Sequence, residues 1–245
     1  MQAGQAEPRS RWILRMIYLQ RRWRVLFANL QRDVRSSEVA QIVACAAIGA
    51  IVGGVTNYLR LFVDLSHKLI FNLPKHVALS MGTATDHWRL IFVPAIGGLV
   101  LGLGAWIVRR YRASEIVDPV EANALFGGRM SLLDSVRLTL MTVVSNASGA
   151  SLGMEAGYSQ LGAALFSRFG REFRLRREDQ RIFVTAGAAA AIAAAFNAPL
   201  AGAFYGFELI LGSYMPRALA PVAVASVCAT LTQRALNRPQ PLFEI

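Results

Sequence analysis

The sequence predicts an all-α, polytopic membrane protein made of broken, tilted helices. Of its 245 residues, 54% are hydrophobic and 17% are charged, whereas soluble domains carry about 25% charged residues. Runs without any charged side chain occupy 39–59, 90–108, 182–207 and 218–233, and about 20 such residues are enough to cross a bilayer. Glycine and proline interrupt several of these runs, so we expect helices that stop and restart.

The first two membrane helices follow from the apolar pattern. A helix begins at Val39 and is expected to continue to about Phe71. A loop leads to a second helix over 90–108, in which Gly98 and Gly102 have the spacing of small residues that lets membrane helices pack closely.

The middle of the chain predicts two further helices separated by glycine. Asp118 before Pro119 is typical of a helix start, because an acid serves as N-cap and proline suits the first helical position. Two glycines at 127 and 128 end that short helix. The next helix is expected over 131–144, before the glycine-rich segment 148–162.

The last part of the chain predicts helices that are broken within the membrane. They are expected from Glu155 to about Phe169, then over 178–195, 200–211 and 216–236. Asn197 and Pro199 interrupt an alanine-rich run between two of them. A broken helix at membrane depth is tolerated only where it lines protein or a cavity, and its N-terminus carries partial positive charge. Several such ends can hold a dehydrated ion.

The formal net charge of +11 comes from arginines that lie outside the apolar runs. They cluster in 1–36, 109–112 and 168–181, and the positive-inside tendency predicts that all three regions lie in the cytoplasm. A bacterial inner membrane is the expected location of the chain. Residues 1–37 are interpreted as a basic interfacial helix, separate from a membrane domain at 38–245. They do not form a signal peptide, since arginine interrupts their apolar stretch. Nucleic acid is not an expected partner.

A single acid stands out in the apolar sequence. Glu155 is the only charged residue between Leu138 and Ser167, and an intramembrane carboxylate is costly unless it faces protein or a water-filled path. Glycines at 149, 153 and 157 flank it. They predict either a smooth helix face for close packing or a helix start where backbone N–H groups converge on a ligand.

Metal, disulfide and enzyme chemistry find no support in the sequence. The histidines at 67, 76 and 87 have no carboxylate or cysteine neighbours at ligand spacing, and Cys45 and Cys228 fall inside apolar runs as packing residues. There is no phosphate-binding loop and no nucleophile elbow. We therefore expect a protein that is not an enzyme and that needs no cofactor.

Two motifs resemble those of the CLC family of chloride channels and chloride/proton antiporters. The segment Gly153-Met-Glu-Ala-Gly157, followed by Gln160 and Gly162, resembles the family signature G-R-E-G-P…Q-x-G. Residues 186–202 are similar to A-A-A-F-N-A-P-L-A-G almost letter for letter, and 94–99 resembles the second membrane helix of the family. The resemblance implies the first of two inverted repeats of a CLC-type fold over 38–245.

The resemblance also implies an anion site. Glu155 would be the gating glutamate, which competes with chloride and swings away when it is protonated. Backbone amides at Gly153, Met154, Ala156 and Gly157 would point at the anion. The amides of the turn at Val117 and Asp118 are further implied ligands on the same side of the site.

Departures from the family pattern concern both the anion and the proton. Met154 replaces an arginine, and Ile116 replaces the serine whose hydroxyl would ligate chloride. Glu208 matches a family acid and is a candidate for a proton pathway. The next position, a second glutamate in proton-coupled members, is Leu209.

Three functions stay open at this point. The favoured one is a passive channel for chloride or another small anion; the others are a chloride/proton antiporter and a non-conducting half. The lipid bilayer is an expected partner, and so is a second copy in a homodimer, for which Gly202 and Gly206 have suitable spacing. A second inverted half is expected to complete the pore, so the chain alone is not expected to conduct chloride selectively.

Overall fold

The computed structural model describes residues 22, 28–72, 87–111, 115–150 and 153–236, which form helices and no strands. Residues 28–36 are helical and precede the first long helix. In chain order the helices are α1 (Glu38–Phe71), α2 (His87–Tyr111), α3 (Pro119–Ala124), α4 (Leu132–Ala147), α5 (Glu155–Glu172), α6 (Arg177–Phe196), α7 (Pro199–Tyr205), a π-helix (Gly206–Leu211) and α8 (Pro216–Leu236). The predicted order of elements is confirmed. The predicted interfacial helix in 1–37 falls mostly outside the described residues.

Local signals account for the ends of the first helix. The Ser37 side chain accepts a hydrogen bond from the N–H of Ala40, and so caps the start of α1. Asn72 ends the helix in a left-handed conformation with φ of 51°, which asparagine tolerates better than most residues. The predicted helix from Val39 to Phe71 is thus confirmed within one residue.

The core is built around α6, whose alanines allow neighbouring helices to approach closely. Its residues 182–194 are buried, and it packs mainly against α5 and α8. Gly187 of α6 faces Gly162 of α5 so closely that a Cβ at either position would collide with backbone. The alanine run is therefore a packing surface for α5 and α8.

A second close approach joins α1 to α8. A Cβ at Gly49 would lie 2.6 Å from the carbonyl oxygen of Ala225, and a Cβ at Gly53 would lie 2.7 Å from the Cα of Ala229. The two glycines are four residues apart, so they form one small-residue face on α1.

Two predicted uses of glycine have different outcomes. No described atom lies within 4 Å of a Cβ placed at Gly98 or Gly102, so no described residue tests their close packing, which stays a prediction. Gly202 and Gly206 are instead occupied within the molecule, because their Cα atoms face Ala189, Ala193 and Thr185 of α6. They are not free to form the predicted dimer contact.

In the part of the chain that the structure describes, three helices are long and apolar enough to span a membrane: Glu38–Phe71, Trp88–Arg110 and Pro216–Leu236. The outer faces of α1 and α2 carry exposed Leu, Ile, Val and Phe side chains. This extensive apolar surface suits lipid or an apolar protein partner. The chain is an integral membrane protein, as predicted.

Two of the arginine-rich regions lie at the same end of the bundle. The Gln31 side chain donates to the carbonyl of Glu172, which brings residues 28–36 to the end of α5. Arg217 at the start of α8 pairs with Glu38 at the start of α1. This end, from here called the basic end, carries 28–38 and 168–181.

Candidate functional site

Glu155 stands at the start of a helix that has no side-chain cap. Met154 occupies the N-cap position of α5 and makes no capping hydrogen bond, so the N–H groups of the first turn keep their donor capacity. The Glu155 side chain is exposed. Its carboxylate folds back against Gly153, where a Cβ would lie 3.1 Å from Cδ and collide with Oε2. The negative group therefore lies over the positive end of its own helix.

The flanking glycines form a break and not a continuous helix face. Gly149 has φ of 86° in the turn that follows α4, and Gly153 precedes α5. Gly157 is buried, with its Cα facing Thr142 of α4, and its carbonyl accepts from Thr139 Oγ1 at 3.1 Å. The sequence left open whether these glycines mark a helix start or a close contact between helices. In the structure Gly153 lies at a helix start, and Gly157 lies in a close contact.

The second predicted part of the site is the start of α3. The Asp118 carboxylate accepts from the N–H of Glu121 at 2.7 Å and is an N-cap, as its sequence position predicts. Asp118 and Ile116 are exposed and Val117 is half-buried. Because the carboxylate already uses one N–H of this short helix and adds a negative charge, the Asp118 side chain does not suit an anion ligand; only backbone groups of this turn do.

Gln160 brings the two parts together. Its Nε2 donates to the carbonyl of Val117 at 2.9 Å and to Ser135 Oγ at 3.1 Å. Gln160 lies five residues after Glu155, which is roughly 7.5 Å along a helix axis. The start of α3 is therefore held about one and a half turns along α5 from the acid. No hydrogen bond among the described residues joins Glu155 to Asp118.

Glu208 lies in the π-helix, away from the start of α5 in the chain. It is exposed, and its Oε1 accepts from the hydroxyl of Tyr214 at 2.7 Å. Leu209, the following residue, is 56% exposed. π-Helical turns are rare and occur frequently at functional sites. Among the described residues, no hydrogen bond links Glu208 to Glu155.

A buried polar network supports the π-helix. Asn123 Nδ2 donates to the carbonyl of Ile210 and to Thr185 Oγ1, both at 3.0 Å. Arg181 Nε donates to Asn123 Oδ1 at 2.9 Å. Asn123 is 1% exposed, so these bonds replace the water contacts that its amide loses on burial. The network ties α3 and α6 to the π-helix.

Sequence reasoning assigned no role to Gln160 or Asn123. Each is an uncharged polar side chain buried in an apolar setting, where an unsatisfied amide is costly. That cost was a signal that both side chains hold neighbouring backbone in place. It does not reveal which carbonyl each one holds, because the acceptors are 43 and 87 residues away in sequence.

The histidine and cysteine residues form no metal-binding group in the described part of the chain. His67 Nε2 lies 2.7 Å from the carbonyl oxygen of Asn146 and thereby links α1 to α4. Cys45 is buried and Cys228 is half-buried, and both are free thiols. His76 and the side chain of His87 lie outside the described residues.

Comparison with known proteins identifies relatives of one kind. A family model described as "Voltage gated chloride channel" matches residues 97–245. The chain is 32% identical over 175 residues to the "Voltage-gated ClC-type chloride channel ClcB" of Yersinia pseudotuberculosis serotype O:1b (strain IP 31758), a match that covers 70% of this chain and 42% of that protein. The ClcB protein of Salmonella typhi is 34% identical over 162 residues, covering 64% and 38% of the two chains.

The fold is similar to that of a solved transporter. The crystal structure of "a slow cyanobacterial Cl-/H+ antiporter" matches with a TM-score of 0.60 and 25% sequence identity, over 82% of this chain and 47% of the other. The chain thus spans less than half the length of these relatives.

Proposed function

The chain belongs to the voltage-gated chloride channel family, and from this premise we propose that it forms part of a pathway for chloride or another small anion across a lipid bilayer. One observation carries the proposal: the exposed Glu155 carboxylate lies over the uncapped start of α5. A helix N-terminus bears about half of a positive elementary charge. The position taken by the carboxylate is one that an anion would also favour.

We propose that Glu155 is the gate of this pathway. While the carboxylate is charged, it competes with the anion for the N–H groups at the start of α5. When it is protonated, its attraction to this helix end falls and the side chain can leave. The gate then opens as pH falls, because the protonated form becomes more abundant at low pH.

The proposed ligands are backbone N–H groups in the segment from Gly153 to Gly157. Gly153 and Ala156 are exposed and Met154 is half-buried, so an anion can reach this part of the chain. The glycine at 157 adds its N–H and also holds α5 against α4. The amide of Val117, about one and a half helical turns away, is the proposed second contact, in a turn that Asp118 shapes as a cap.

An anion that sheds its water needs donors on every side. We propose that the remaining donors come from a second, inverted half like the part of the longer relatives that this chain does not match. We also propose a homodimer, with contacts other than Gly202 and Gly206, which are occupied within the molecule.

A passive channel is the favoured form of this function, because an exposed leucine at 209 cannot accept a proton. Proton-coupled exchange is the second candidate. The similarity to a structure described as an antiporter and the Tyr214–Glu208 hydrogen bond favour it. Glu208 would then serve as the acid of the proton pathway.

The experiment is an anion flux measurement in liposomes that contain the conducting assembly. Glu155→Gln mimics the protonated carboxylate, so flux is expected to lose most of its pH dependence and to stay near the low-pH rate. Glu178→Gln removes an exposed acid at the start of α6 and is expected to keep the pH dependence. A pH profile that is the same in Glu155→Gln and in the unmodified protein removes Glu155 from the gate.

A further inference from the structure

A cavity of about 920 Å³ opens at the basic end, between residues 28–36, the turn that follows α3, and the loop between α5 and α6. Every charged side chain among its described lining residues is an arginine. They are Arg35, Arg129, Arg171, Arg174 and Arg177. Five guanidinium groups from three separate chain segments therefore surround one space.

These charges have no acidic partner in the described part of the chain. The ion pairs found there join other arginines to acids: Arg137 to Asp134, Arg168 to Glu172 and Arg217 to Glu38. Desolvation, followed by repulsion from the guanidinium groups of Arg168 and Arg129, lowers the pKa of Arg171 below its ordinary value. A bound anion would relieve this repulsion.

One wall of the cavity has a backbone shape that makes room for an arginine. Gly127 has φ of 59°, and a Cβ there would lie 2.7 Å from Nε and 2.9 Å from Cγ of Arg177. The Arg177 side chain therefore lies directly across the glycine. Any other residue at 127 would strain the backbone and displace the guanidinium group.

Buried hydrogen bonds hold this wall in place. Gln180 Nε2 donates to the carbonyls of Gly128 and Ser167, both at 3.0 Å. Ser167 Oγ donates to the Gly128 carbonyl at 2.8 Å and accepts from the N–H of Met130 at 2.9 Å. The turn that carries Arg129 is thus clamped to the ends of α5 and α6.

The opposite wall is attached to the same loop. Gln31 Nε2 donates to the Glu172 carbonyl at 2.6 Å, and Val34 is 2% exposed. These contacts anchor residues 28–36 and direct Arg35 to the cavity. The lining also includes Leu125 and Phe126, which are 66% and 49% exposed, so an apolar surface borders the cluster of charges.

We propose that this cavity binds a phosphate-bearing anion, separately from the anion pathway at Glu155. Guanidinium groups form paired hydrogen bonds with phosphate oxygens, and several arginines around one space favour a multiply charged anion over chloride. The phosphate comes either from a phospholipid headgroup, whose chains would contact Leu125 and Phe126, or from a soluble phosphate compound. Both sources present the same chemical group to the same five arginines.

The test measures the dissociation constants of two probes for the purified full chain in a neutral detergent. The lipid probe is short-chain phosphatidic acid, with phosphatidylcholine as the neutral lipid; the soluble probe is inorganic pyrophosphate. Arg129→Gln and Arg171→Gln are each expected to weaken binding about tenfold, the effect of losing one strong charge-assisted hydrogen bond. Arg176→Gln is the matched control, because Arg176 is an exposed, unpaired arginine of the same loop that does not line the cavity.

The pattern across the probes identifies the source. If only phosphatidic acid binds, the cavity is a lipid site; if pyrophosphate binds with similar or greater affinity, a soluble phosphate is the ligand. Either pattern supports the proposal when the two cavity variants weaken binding and the control does not. Arg129→Lys and Arg171→Lys, which keep the charge, are expected to show a smaller loss and guard against misfolding of the glutamine variants. The proposal is overturned if neither probe binds, or if Arg176→Gln weakens binding as much as the cavity variants do.

Discussion

Gln160 Nε2 lies 2.9 Å from the carbonyl oxygen of Val117, 43 residues away in sequence, and this bond joins the first part of α5 to the turn before α3. The same amide donates to Ser135 Oγ, so one side chain of α5 contacts both the turn before α3 and the first part of α4. Gln160 and Ser135 are each 1% exposed, and Val117 is half-buried. The relative position of the two helix starts therefore depends on one buried amide.

Gln160→Leu is expected to lower the free energy of unfolding by about 1–3 kcal/mol, the cost of leaving a buried polar group without its partner. The change keeps the approximate size of the side chain but removes both donors. Thermal unfolding of the purified chain in detergent is the measurement.

Gln233→Leu is the matched control for this prediction. Gln233 is also buried in a helix, but its Oε1 has no hydrogen-bond partner among the described residues, so an apolar side chain there is expected to be neutral or stabilising. If the two variants lose the same amount of stability, the hydrogen bonds of Gln160 make no specific contribution to the free energy of unfolding.

Close packing between α1 and α8 leads to a second prediction. Gly53→Ala adds a Cβ that would lie 2.7 Å from the Cα of Ala229, so the helices must separate, at a cost of about 1–3 kcal/mol. Gly98→Ala makes the same change on α2, where no described atom lies within 4 Å, and should leave stability unchanged or slightly raised. The comparison uses the same unfolding assay, and a tolerated Gly53→Ala would contradict the packing argument.

The helices of this chain could be predicted from local signals, because those signals act within a few residues. Asp118 and Pro119 start α3, Asn197 ends α6, and Pro199 restarts the chain as α7. Each effect arises from a side chain and the backbone beside it. No local signal shows which helix packs against a small-residue face. Gly98 and Gly202 have the same spacing motif, yet one faces no described atom and the other faces α6.

The candidate site could likewise be predicted only where local signals determine it. The position of Glu155 at a helix start follows from the glycines around it, and the structure places it there. The Val117–Gln160 bond does not follow, because it depends on how α3 packs against α5. Arg35 and Arg129 are likewise distant in sequence from Arg171, Arg174 and Arg177, and only the fold brings these three parts of the chain to one cavity.

Proton coupling is the subject of the third prediction. Leu209 is apolar and exposed, so a chloride gradient is expected to drive little or no proton movement through the conducting assembly. A pH-sensitive dye in liposomes measures the proton flux. A stoichiometric proton flux against the proton gradient would contradict this prediction. If that flux were lost in Glu208→Gln and partly lost in Tyr214→Phe, the hydrogen-bonded Glu208 and Tyr214 side chains would be assigned to the proton pathway.

The orientation of the chain in the membrane is the fourth prediction. Arg174 lies at the basic end, near the start of α1, whereas Lys68 is in the last turn of that 34-residue helix, roughly 50 Å long at 1.5 Å per residue. The two positions must therefore lie on opposite sides of the bilayer, and the basic end is expected in the cytoplasm.

Cysteine labelling in intact cells can separate the two orientations. With Cys45 and Cys228 replaced by alanine, Lys68→Cys is expected to react with an impermeant thiol reagent from outside, and Arg174→Cys only after the membrane is permeabilised. Both native side chains are exposed, so a difference in reactivity reports the side of the membrane and not burial in the protein. Labelling of Arg174→Cys from outside would show that the orientation is the reverse of the predicted one. The arginine cavity would then lie at the outer face, where the anionic lipids of the cytoplasmic leaflet could not reach it.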